Sequence, residues 1–170
     1  MRLVLTGAVY YLTTGTRATW ASTATNGLYT AAPPGSLAKV GGVMEWQMDV
    51  EKNPADTTSL DDYDTQTGAV WDSAVGSTIK SPIKITLKEK DADGGQIAIQ
   101  QAFYQIGIVV PLLLLNGLST ASGTGVKGIW LDAEILKIGQ PRKIKDIVKF
   151  DVEVQHSGWS SIPPQWVAIT

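Results

Sequence analysis

The sequence predicts a mainly β chain with one flanking α-helix and long loops. Three observations lead there. Apolar and polar residues alternate with a period of two in four separate segments, the signature of strands with one buried and one wet face. The stretches between them are rich in Thr, Ser and turn-forming residues, with 17 Gly and 8 Pro in the chain. Only one segment carries a helical period.

A first strand is expected near Leu3–Leu12. Residues 12–42 follow, with Thr13-Thr14-Gly15-Thr16 and Ala31-Ala32-Pro33-Pro34-Gly35, and read as an extended arm or loop, so that 1–42 is an N-terminal strand plus arm. Met44, Trp46, Met48 and Val50 then alternate with Glu45, Gln47 and Asp49 as a strand. Residues 51–81 form a second long connection. A loop of that length inside a compact domain is usually functional or disordered. Leu60, Tyr63, Val70 and Trp71 make it too apolar for disorder, and aromatics without a catalytic set point to contacts with another protein.

Ile83, Ile85 and Leu87 alternate with Lys84, Thr86 and Lys88. Asp93-Gly94-Gly95 supplies a helix start, Ile99, Ala102, Phe103 and Ile106 recur at i, i+3, i+4 and i+7, and Gly107 ends the helix. The run Ile108 to Leu115 reads as a strand buried on both faces, with Pro111 breaking or edging it. Ile129, Leu131, Ala133 and Ile135 hold one phase against Asp132 and Glu134, after which Leu136 and Ile138 are apolar. A β-bulge at Ile135-Leu136 explains that one-residue flip. Gly139-Gln140-Pro141-Arg142 is turn chemistry, and Val148, Phe150, Val152 and Val154 alternate with Lys149, Asp151, Glu153 and Gln155 on the returning strand of a hairpin.

Composition excludes several functions. With 14 basic and 16 acidic residues the net charge is −2, so composition does not suggest the clustered positive face of a nucleic-acid binder. The absence of cysteine removes disulfides, thiolate metal sites and thiol nucleophiles. The N-terminal Leu3-Val4-Leu5 is too short for a signal peptide, and the longest apolar run, Ile108 to Leu115, is far short of the roughly twenty residues that span a bilayer. A soluble chain of one domain, 1–170, is expected. Charged residues are only 18%, against about 25% in an average soluble domain, which fits a surface covered by other subunits.

The chemical constellations have plain readings. His156, the single histidine, precedes Ser157, but nothing marks a nucleophile elbow or an oxyanion hole. Asp61-Asp62-Tyr63-Asp64 lacks the alternating ligands of a calcium loop. Asp91-Ala92-Asp93-Gly94-Gly95 is explained by a turn and helix cap. Gly123-x-Gly125-x-x-Gly128 leads into a strand, not a helix N-terminus, so it cannot cradle phosphate. Trp46 is a core candidate, while Trp159 and Trp166 in the Pro-rich tail are candidate docking anchors. No catalytic residue, cofactor or metal site is expected.

The order of elements, with Asp56-Thr57-Thr58-Ser59-Leu60-Asp61-Asp62-Tyr63-Asp64, then Gly68-Ala69-Val70-Trp71-Asp72, Pro82-Ile83-Lys84-Ile85-Thr86-Leu87 and the closing Val148 to Gln155 before Ser157-Gly158, resembles the bacteriophage tail tube family over roughly residues 40–160. The resemblance implies a sandwich- or barrel-like subunit that closes into hexameric rings, stacked through the 51–81 loop and the arm. Genomic DNA would pass through without specific binding. It implies a virion protein, assembled in the host bacterial cytoplasm, whose partners are itself, the tape measure, the terminator and the tip or baseplate, with no membrane. Leu60, Tyr63 and Trp71 are then candidates for ring-to-ring contact. Glu45, Asp49, Asp132, Glu134, Asp151 and Glu153 are candidates for an acidic or mixed lumen wall that repels phosphate, with Lys84 and Lys88 either facing the same lumen or pairing with those acids. The inner tube of a contractile injection apparatus, a tail terminator or adaptor, and a β-sandwich module that binds host carbohydrate are the alternatives.

Overall fold

The computed structural model describes residues 3–5, 7–17, 28–30, 36–48, 51–56, 74–80, 82–117, 126–144, 147–158 and 160–168. Its elements are strands β1 (Leu3–Leu5), β2 (Ala8–Leu12), β3 (Leu28–Thr30), β4 (Leu37–Lys39), β5 (Val43–Met48), β6 (Glu51–Asp56), β7 (Ala74–Lys80) and β8 (Ile83–Lys88), helix α1 (Gly94–Tyr104), and strands β9 (Val110–Leu115), β10 (Lys127–Ile138), β11 (Arg142–Ile144), β12 (Ile147–His156) and β13 (Gln165–Ala168). Among the described residues the chain is mainly β with one helix.

The main sheet runs β1-β5-β8-β12-β10-β9-β2-β4, with β11 added beside β12 and β13 beside β10. β3 pairs with β13 in parallel. β1 and β2 stand far apart in this order, yet only two residues separate them in the chain. Leu5 pairs with Trp46 of β5, and Ala8 pairs with Leu115 of β9. One interrupted strand therefore borrows a partner from each flank of a curled sheet. Across that seam the Trp46 indole N–H donates to the Leu115 carbonyl at 3.0 Å. Gly7 lies in it, where a Cβ would stand 1.9 Å from the Leu115 oxygen. The sheet curls toward a barrel without closing.

The inside of the curl is the main core. Trp46, Ile83, Ile85, Leu87, Leu112, Leu114, Leu131, Phe150, Val152 and Val154 pack there with Ile99 and Ala102 of the helix. A second cluster, with Tyr10, Leu113, Leu115, Trp130 and Val167, covers the other face of β2, β9 and the first half of β10. This makes β9 apolar on both sides, as its sequence predicts. Pro111 does not break it: the residue lies just beyond the last β9 residue paired with β2, where the missing N–H costs least.

Asp93 caps α1, its Oδ1 accepting from the amides of Gly95 (3.1 Å) and Gln96 (3.0 Å), while Oδ2 accepts from Gly41 at 3.0 Å. The buried Gln96 side chain donates to the carbonyls of Gly41 and Lys88, both at 2.8 Å, and so ties the helix to the β5–β8 pair. The bulge predicted in β10 is present as a register shift between Ile135 and Lys137.

Several expectations are corrected. The strand near Leu3–Leu12 is broken at the seam, and residues 12–42 contribute the strands β3 and β4. Met44 is 40% exposed, because a second bulge between Val43 and Glu45 turns it out and sends Val43 toward the core. The 51–81 stretch is a loop only in part: β6 and β7 pair as an antiparallel hairpin stem separate from the main sheet. The helix ends at Tyr104, so Phe103 is 37% exposed and Ile106, past the last turn, is wholly so. Trp46 is core as expected, and Trp166 is 45% exposed.

Candidate functional site

The outer surface of the curl has a polar half formed by β5, β8, β12 and the end of β10. Residues directly paired across antiparallel strands share a face, so the registers give its layout in rows. Lys88, Lys149 and Arg142 form the first row. Glu45, Thr86 and Asp151 form the second. Gln47, Lys84, Glu153 and Lys137 form the third, and Gln155 with Glu134 the fourth. Sequence alternation thus places Glu45, Glu134, Asp151 and Glu153 on one face, and of the two expected kinds of surface, acidic or mixed, the registers give the mixed one. Five cations stand among those four carboxylates, since Lys84, Lys88 and Lys149 follow the same alternation as the acids and the bulge turns Lys137 to this side.

Asp151 is the hub. Its carboxylate accepts from the Thr86 hydroxyl at 2.9 Å, meets Arg142 at 3.1 Å and lies 3.6 Å from the Lys84 ammonium. Partial burial works against the charged form, but the Thr86 hydrogen bond and the charges of Lys84 and Arg142 together outweigh it. They hold the Asp151 carboxyl below the usual carboxylate range. Both cations are more than half exposed, so each pair contributes on the order of 0.5 kcal/mol. Because the folded pKa is depressed, this stability is fully present above the unfolded value of about 3.9 and is lost as pH falls through the folded one. Denaturant unfolding of wild type and Asp151→Asn at pH 7 and pH 3 is expected to show a deficit at pH 7 that shrinks at pH 3. An equal deficit at both would mean that packing, not charge, is lost.

Asp132 departs from the wet-face expectation. It is 7% exposed, because it lies on β10 beside Trp130, where the second apolar cluster and residues 160–163 between β12 and β13 cover the sheet. The buried Arg17 pairs with it, Nε to Oδ2 at 3.0 Å. The same guanidinium donates to the Trp130 carbonyl at 3.3 Å, to Pro163 at 3.1 Å and to Ile162, and its Cζ stands 5.9 Å from the Trp130 ring centroid. Ser160 donates to Asp132 as well. Sequence reading missed Arg17. The available signal was that it is the only charged residue between Arg2 and Lys39.

His156 sits at this junction half-buried, and burial and the Arg17 charge lower its pKa against the opposing pull of Asp132. It is therefore neutral at neutral pH. Ser157 is fully buried, its amide donating to the Asp132 carbonyl at 2.8 Å, so its hydroxyl is not an accessible nucleophile. Among the described residues no group of three His, Asp or Glu is arranged to hold a metal. Leu60, Tyr63, Trp71 and Asp49 lie outside the described residues.

No protein-family model and no curated protein matches the chain. Its fold is nonetheless shared with solved structures. A chain in the virion of a native gene transfer agent particle superposes with a TM-score of 0.52 at 18% identity, covering 78% of this chain and 89% of that one. A chain in the tail of an empty gene transfer agent particle, with C6 symmetry, gives 0.52 at 18%, covering 79% and 88%. A chain of the SPP1 tail tube gives 0.55 at 16%, covering 94% and 76%. At these identities the likeness establishes the fold.

Proposed function

We propose that this chain, which has the fold of tail and tail tube subunits, is itself a tail tube protein: a non-enzymatic virion component that closes into rings, six-fold as in the gene transfer agent tail, and stacks them around a channel for DNA. The likeness to the SPP1 tail tube over 94% of the chain carries the reading. The polar half of the curl supports it, because a strip of antiparallel strands with one apolar and one wet face is what a shared channel wall requires. In this reading Glu45, Glu134, Asp151 and Glu153 face the bore together with the cations of their rows, and the tape measure, terminator and tip proteins are the further partners. The wall is mixed in charge, so its fields alternate over distances near the Debye length of about 8 Å and give DNA no continuous grip.

The β6–β7 stem supports the stacking role of residues 51–81. A two-stranded hairpin outside the main sheet is marginally stable by itself, and a neighbouring ring would cover it. Leu60, Tyr63 and Trp71 are the proposed anchors, each contributing about 2 kcal/mol on burial. Negative-stain imaging of the concentrated protein tests both statements. Wild type is expected to form regular tubes or hexameric rings, and Trp71→Ala to remain a folded subunit that does not stack. A strict monomer at every concentration that binds glycans would replace the tube with a host-binding module. Unfolding of Trp71→Ala would place that side chain in the subunit's own core.

A further inference from the structure

The first row of the polar face differs from the others. Lys88 and Lys149 are direct cross-strand partners, and Arg142 continues the line onto β11. Like charges directly opposite one another destabilise a sheet. Among the described residues neither lysine has an ion-pair partner, and Lys88 is exposed. The nearby Glu89, just past the end of β8, lines a different depression, with Phe150 and Ile138. Arg142 gives one nitrogen to Asp151, and a guanidinium has five N–H donors, so it retains others for a second acceptor. Three cations thus stand in a line about 10 Å long across three strands. The arrangement works against the subunit's own stability.

We infer that the Lys88–Lys149–Arg142 row is a contact for the phosphate backbone of nucleic acid. The inference rests on the tube reading, which brings DNA past this face. A phosphate set against the row relieves the repulsion between the lysines, and the cations release their share of the DNA's condensed counterions. The second row limits the grip. Glu45 and Asp151 stand one row away, on the rim of the same shallow depression as Lys149 and Arg142, and repel a backbone that settles deeper. Repeated around a ring, the row becomes one basic tier beside an acidic one. Such a tier centres the polymer by many weak contacts, each screened by salt.

The test uses the full-length protein below the concentration at which it assembles, with a fluorescein-labelled single-stranded oligonucleotide of about twenty nucleotides followed by anisotropy against salt. Wild type is expected to bind weakly at low salt and to release at physiological salt. Lys88→Gln with Lys149→Gln is expected to weaken binding at least tenfold and to lower the salt slope by about 1.4, at about 0.7 per phosphate contact. Lys39→Gln with Lys127→Gln, which removes two exposed cations elsewhere, is expected to leave both unchanged. Imaging of each protein at high concentration separates the two readings. Tubes from wild type, with oligonucleotide binding that the Lys88/Lys149 variant retains, overturn the inference and leave the tube in place. No tubes from wild type overturns both. Equal affinity for a poly-glutamate peptide of matched charge assigns the row to an acidic protein and overturns the phosphate contact.

Discussion

Arg17→Ala is expected to destabilise the subunit by about 3–5 kcal/mol, the cost of leaving a buried carboxylate without its counter-charge. For a chain of this size that lowers Tm by on the order of 10 °C. The change strips Asp132, which is 7% exposed, of its counter-charge and at once removes a donor to the carbonyls of Trp130, Ile162 and Pro163. Arg17→Lys is expected to recover only part of the loss, because one ammonium cannot reach three carbonyls and a carboxylate with the fork of a guanidinium. Adding Asp132→Ala to Arg17→Ala is expected to cost less than the two single changes summed, since no charge is then stranded. Chemical denaturation of the four proteins measures this. A loss below 1 kcal/mol for Arg17→Ala would mean that water already reaches the site and that the pair holds nothing in place.

Gly7→Ala is expected to cost about 3 kcal/mol or more, at the upper end of what overpacking does. The added Cβ would stand 1.9 Å from the Leu115 oxygen and 2.5 Å from the Trp46 indole nitrogen. Neither neighbour can yield cheaply, because one is backbone in a central strand and the other is a core side chain 2% exposed. The expected structural result is selective: the seam between β5 and β9 opens while the pairing of β8, β12 and β10 persists. Hydrogen exchange at the amides of 3–5 and 8–12 reads it directly, against protected amides of β12 as the reference. Uniform loss of protection over the whole sheet would show that the seam and the sheet melt as one unit.

The strands whose sequence alternates were legible because alternation reports one buried and one wet face, and β8, β12 and the second half of β10 have that environment. The β10 bulge was legible for the same reason, as the phase flips where the backbone does. The alternation at Asp132 was legible as a pattern and misleading as an environment. Residues 160–163 and Arg17, which reach it from distant parts of the chain, cover a face that looks wet locally. β3 and β4 were missed because three-residue strands hold no period, and one of them pairs in parallel with a partner more than a hundred residues away. The polar face illustrates both sides. Its carboxylates were visible individually, but that Lys88 stands against Lys149, and Glu153 between Lys84 and Lys137, is information only the register carries.

The split first strand also sets a timetable. Leu3–Leu5 and Ala8–Leu12 leave the ribosome well before their partners, which lie at Trp46–Met48 and Leu112–Leu115. Contacts of such sequence separation form slowly, because a long loop must close before they stabilise anything. These residues are thus held back until Leu115 has been synthesised, and they join the two flanks of the curl only when both exist. Until then β5 and β9 each present an unsatisfied edge, the kind of surface on which nascent chains add to one another. The N-terminal strand therefore acts as a clasp whose fastening turns an adhesive intermediate into a finished subunit.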